Sequence, residues 1–180
     1  MLPQGVCQMD ATSFSPISPL GRWITAGVAG AVLMALLSVQ PAPAATTELP
    51  KASAWNGKYP FDQKPGFYAN AALKQATTAL IGATRYKEVM LGWSVAAPIV
   101  TDGDALLAWG CKPHDCGDNH QSTLIDAGKV AICILQGGTA TWYAEGLAKP
   151  VSSRITGDGS TACQFETVSQ ARQSLAAARR

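Results

Sequence analysis

Apolar and polar positions follow three patterns along this chain. Residues 24–39 form an uncharged apolar run. Further on, Leu73, Ala76, Thr77 and Leu80 recur at i, i+3, i+4 and i+7, with Lys74 and Gln75 off that stripe. This spacing predicts an amphipathic helix within residues 66–83, capped by Asn70. Residues 85–88 read as a polar connection. From residue 89 the runs shorten to strand length. Residues 89–99 are apolar, with Pro98 marking an edge or a bulge. Residues 105–111 alternate Leu107 and Trp109 on one face. Residues 122–126, 129–135 and 139–144 complete a set of about five strands. Thr101-Asp102-Gly103-Asp104, Ala127-Gly128 and Gly137-Gly138 are turn signals spaced closely enough to imply antiparallel pairing. Trp93, Trp109, Trp142 and Tyr143 are expected in the core. The predicted class is α+β: a meandering antiparallel sheet with the helix packed on one face.

The ends of the chain read differently. The 24–39 run is shorter than the roughly 20 residues a membrane span needs. Arg22 precedes it and Ala42-Pro43-Ala44 follows, which gives the basic, apolar and small-x-small sequence of a secretory leader. Residues 1–44 are therefore expected to be a signal peptide, leaving no membrane segment after cleavage. The polar stretch 45–65, with Pro50, Pro60 and Pro65, reads as a flexible arm on which Trp55, Tyr59 and Phe61 offer docking points. Residues 66–167 are expected to form the domain. Residues 168–180 have helical composition and read as a helix or a frayed tail.

Charge narrows the functional classes. The 180 residues carry 14 basic and 12 acidic side chains, a net charge of +2. That balance offers no basic face for nucleic acid. Both histidines beyond the leader, His114 and His120, lie in one short loop, so no Ser-His-Asp set can be assembled. No Gly-rich motif suits a phosphate. The residues imply no enzyme and no cofactor.

Four cysteines remain beyond the leader. In an oxidising compartment they read as two disulfides with three connectivities. The near-neighbour choice joins Cys111 to Cys116 and Cys133 to Cys163. The first pair would close Cys111-Lys112-Pro113-His114-Asp115-Cys116 into a rigid loop at the end of a strand. Such a loop presents charged groups at little cost in ordering entropy. Three other readings of the loop remain open. It is a plain staple with an exposed polar tip, a zinc site built from Cys111, His114, Cys116 and His120, or a redox pair. Export disfavours the zinc site, and the four-residue spacing after a strand disfavours the redox pair.

The Cys-Lys-Pro-His-Asp-Cys segment, following a strand and followed by Gly117, resembles the signature loop of the Ivy family, the inhibitors of vertebrate (C-type) lysozyme. The resemblance extends over roughly residues 66–146, through the upstream helix, the hairpin and the later apolar strands. It implies a periplasmic protein of a Gram-negative bacterium, with a helix-flanked antiparallel sheet; some members are homodimers. It also implies that Lys112, Pro113, His114 and Asp115 enter the lysozyme cleft, with His114 approaching the two catalytic carboxylates. The chemistry is sound: a retaining glycosidase holds two carboxyl groups about 5 Å apart, and an imidazolium donates from both nitrogens. Lys112 would add positive charge at the rim. Asp115 would meet basic groups or hold the loop internally, and His120 is expected to be solvated. Cys133–Cys163 and the region from Lys149 onward depart from the family pattern, so no dimer surface can be located. A second target class of related chemistry is the cell's own lytic transglycosylases.

Overall fold

The computed structural model describes residues 48–156 and 162–180. The expected leader lies outside them. Seven strands among the described residues form one antiparallel sheet: β1 (Val95–Ala96), β2 (Val100–Asp102), β3 (Ala105–Cys111), β4 (Asn119–Asp126), β5 (Lys129–Gln136), β6 (Thr139–Ala144) and β7 (Val151–Arg154). From β3 to β7 each strand pairs with the next, while β1 and β2 both pair with the outer edge of β3. The turn residues set this meander. Ala127-Gly128, at φ +47° and +72°, and Gly137-Gly138, at +58° and +70°, each place two consecutive residues in the left-handed region. Positive φ at both central positions of a two-residue loop matches the twist of a hairpin. β7 carries no strand signal in the sequence, because Val151-Ser152-Ser153-Arg154 is a largely exposed edge strand without apolar alternation.

Alternation along the strands fills two cores. Leu106, Ala108, Ile125, Val130, Ile132 and Ile134 face Phe67, Leu73, Tyr86, Val89 and Met90. On the opposite face Leu107, Leu124, Cys133, Leu135 and Trp142 meet Val168, Ala171 and Leu175. The sheet is therefore covered on both faces, not on one. The expected aromatic core is largely as read: Trp93 and Trp142 are buried, and Trp109 and Tyr143 are partly buried.

The main helix, α2 (Ala71–Ile81), starts where Asn70 Oδ1 accepts the Leu73 N–H at 2.9 Å. That bond satisfies one of the orphan donors of the first turn. The 89–99 run is not a strand. Α short helix, α3 (Ala83–Arg85), continues as a π-helical turn over Tyr86–Leu91, and only Val95–Ala96 pairs with β3. Helical winding turns Tyr86, Val89 and Met90 together into the first core. Gly92 ends the turn, since a Cβ there would lie 2.5 Å from the Glu88 carbonyl oxygen.

The expected loose arm is seated on the core from residue 48 onward. Its short helix, α1 (Ala52–Trp55), sets the Trp55 ring edge-on to Phe67 at 5.1 Å. Gly57 and Lys58 exchange backbone hydrogen bonds with Ile99, at 2.8 and 2.9 Å. At the other end, α4 (Val168–Ala178) begins with a capping box between Thr167 and Gln170. It is fixed to the sheet by Arg172, whose guanidinium donates to Asp126 at 2.8 and 2.9 Å and to Asp102 at 2.7 Å. Among the described residues no helix is long and apolar enough to cross a membrane.

Candidate functional site

The loop between β3 and β4 is built in three layers. At its neck the strands continue their ladder, with Lys112 N–H donating to the Asn119 carbonyl at 3.0 Å. The Cys111–Cys116 disulfide spans the neck, with Cα atoms 4.9 Å apart. At the tip, Asp115 N–H donates to the Lys112 carbonyl at 3.0 Å and closes a four-residue turn. Pro113 occupies its second position and His114, at φ +62°, its third. Proline followed by a residue of positive φ is the pattern of a type II turn, where glycine or asparagine is the ordinary third residue. A histidine held there costs of order 1–3 kcal/mol of backbone strain, the kind that gathers at functional positions.

The side chains lock the turn further. Lys112 Nζ pairs with Asp115 Oδ2 at 2.9 Å, and Asn119 Nδ2 donates to the same oxygen at 2.8 Å. The Lys112 hydrogen bond is the main cause that holds the Asp115 carboxyl below the usual carboxylate range. Asp115 is thus bonded within the loop, to Lys112 and Asn119. Lys112, Pro113 and His114 are exposed, and Asp115 is half-buried. The imidazole thus stands in solvent on a backbone fixed from both sides.

His120 is not the solvated loop residue expected. It is fully buried at the foot of the loop. Its Nδ1 lies 2.7 Å from the Cys116 carbonyl oxygen, and its Nε2 contacts the Ala162 carbonyl oxygen. The strand alternation that turns it inward is hidden in the sequence, because its neighbours Gln121, Ser122 and Thr123 are polar and yet buried. The zinc reading fails on this geometry. Cys111 and Cys116 are bonded to each other and offer no thiolate, and both His120 nitrogens already face carbonyls. The same bond removes the loop's thiol pair from its reduced form. The second pair, Cys133–Cys163, is also joined, across a separation of 30 residues.

Residues 72–156 match the model of a family described as inhibitor of vertebrate lysozyme (Ivy). The matched stretch contains nearly all of α2, the whole sheet and the disulfide-closed loop, and ends before α4. No curated protein and no solved structure matches the chain. The family is one of inhibitors, and its name gives lysozyme as the partner. Over residues 72–156 this chain is similar to the Ivy inhibitors of vertebrate lysozyme, and the disulfide-closed loop lies within that stretch.

Proposed function

We propose that this protein is an exported, periplasmic inhibitor of C-type lysozyme, and that it acts by inserting the 112–115 turn into the catalytic cleft. The observation that carries the reading is His114, exposed at φ +62° on a turn closed by a disulfide and an ion pair. A plug of this kind orders few groups on binding, so little of the interaction energy is lost to entropy. In the cleft, the His114 imidazole meets two carboxyl groups about 5 Å apart. As an imidazolium it donates to both and occupies the place of the scissile bond. Pro113 and the disulfide hold the approach, and Lys112 and Asp115 brace the turn against each other. In this reading the loop fills the cleft and nothing is turned over.

The experiment is a cell-wall turbidity assay with protein purified from the periplasm. Stoichiometric inhibition of hen or human lysozyme supports the reading. Inhibition confined to endogenous lytic transglycosylases transfers the loop to the second target, and inhibition of neither removes the proposal. Mass spectrometry of the same sample gives the mature N-terminus, expected at Ala45. Recovery only from the cytoplasm would contradict export.

A further inference from the structure

The loop is tied not only across its neck but also to a distant part of the chain, through His120. We infer that His120 is a positioning residue for the inhibitory loop, joining it to the segment that Cys133–Cys163 anchors. The inference rests on the function proposed above and concerns a residue that the loop's recognition chemistry does not use. His120 lies on β4, opposite Cys111 on β3 and Leu135 on β5. The Trp109 ring is 6.1 Å from its ring. One nitrogen reaches the carbonyl of Cys116, the second half of the loop disulfide, and the other reaches the carbonyl of Ala162. Both partners are carbonyl oxygens, which only accept, so holding both at once takes a ring with a proton on each nitrogen, and a singly protonated ring holds one of them.

The far end of the tie is itself fixed. Ser122, two residues along the same face of β4, donates to the Cys163 carbonyl at 2.7 Å. Cys163 is bonded to Cys133 on the adjacent strand, and it is 2% exposed. Two side chains of β4 thus grip two successive carbonyls, and the disulfide fixes the gripped segment to β5. His120 passes that constraint to Cys116. Deprived of it, the partly buried Cys116 carbonyl loses its side-chain partner, and the second half of the loop is held by the disulfide and the Asp115 bonds without the tie to the distant segment. The residue that presents the plug and the residue that steadies it are then separate histidines.

The test uses His120→Leu, which keeps a comparable volume, and His120→Gln, which keeps a donor. Inhibition of hen lysozyme and native-state amide exchange are measured for both. For His120→Leu the inhibition constant is expected to rise about tenfold, the scale of one buried hydrogen bond. The Asn119 amide, which bonds Asp115 across the loop, is expected to exchange about tenfold faster while β5 amides hold their protection. His120→Gln is expected to recover part of both losses. Inhibition by His120→Leu within about twofold of wild type, or Asn119 and β5 amides loosening in parallel, overturns the inference. If His120→Leu does not fold, Cys133→Ala/Cys163→Ala frees the same segment, and unchanged Asn119 exchange in it overturns the inference. If the wild type fails to inhibit, the proposed function falls, while local loosening at Asn119 still upholds the tie and parallel loosening still removes it.

Discussion

The ammonium of Lys112 lies 2.9 Å from the carboxylate of Asp115, across the turn that carries His114. Both charges at the tip are therefore spent on each other, and the loop presents an imidazole on a braced frame. The brace has a pH signature. The Lys112 hydrogen bond first, and then the charge of Lys112 and the Asn119 amide, hold the Asp115 carboxyl below its ordinary value. The contribution to folding is complete above the unfolded value, about 3.9. It is lost as pH falls through the lower folded value. Carboxyl NMR of Asp115 is expected to show a depressed midpoint that climbs back in Lys112→Met; an unmoved midpoint in that variant contradicts the brace.

His114 separates binding from stability. At φ +62° a glycine is unstrained, so His114→Gly is expected to unfold at a temperature no lower than wild type. Its inhibition of lysozyme should nonetheless be lost. A protein that both melts lower and keeps its inhibition would show that His114 serves the turn and not the target.

The two disulfides are expected to differ in what they support. Closing so short a loop is worth about 2 kcal/mol, and the longer Cys133–Cys163 loop about 3–4 kcal/mol. Cys111→Ser/Cys116→Ser should therefore lose about 2 kcal/mol of stability by denaturant titration. Its affinity for lysozyme should fall by more than that equivalent, because the freed turn must be reordered on binding. Equal losses in the two measurements would make the bond a simple staple.

The C-terminal helix lies beyond the family match, yet it covers one face of the sheet. Leu175, 7% exposed in that core, is the test position. Leu175→Ala is expected to cost about 2–4 kcal/mol and to leave the inhibition constant unchanged where the protein is folded. A change confined to inhibition would assign α4 to the binding surface.

Much of this architecture was legible in the residues, and each departure has its own physical cause. The stripe from Leu73 to Leu80, the Asn70 cap and the glycine turns gave α2 and the β3–β6 meander. Cysteine spacing and export logic gave both disulfides. The apolar run around Val89 and Met90 reads as a strand but winds as a helix, because a short buried segment has the same composition in either. His120 reads as a solvated loop residue because β4 buries Gln121, Ser122 and Thr123, so no hydrophobic alternation marks its inward face. Covering of both faces was signalled by β5, whose Val130-Ala131-Ile132-Cys133-Ile134-Leu135 run is continuous rather than alternating. The positive φ at His114 had no sequence signal beyond the preceding proline.

The most direct measurement of the central claim is a side-by-side titration of wild type and His114→Ala into a C-type lysozyme, with circular dichroism confirming that both are folded. Truncating one partner of a charge-assisted contact buried at an interface costs about 2–5 kcal/mol. The account requires stoichiometric inhibition by the wild type and a loss in the variant of about thirtyfold or more. An inhibition constant for His114→Ala within about threefold of wild type would contradict the plug.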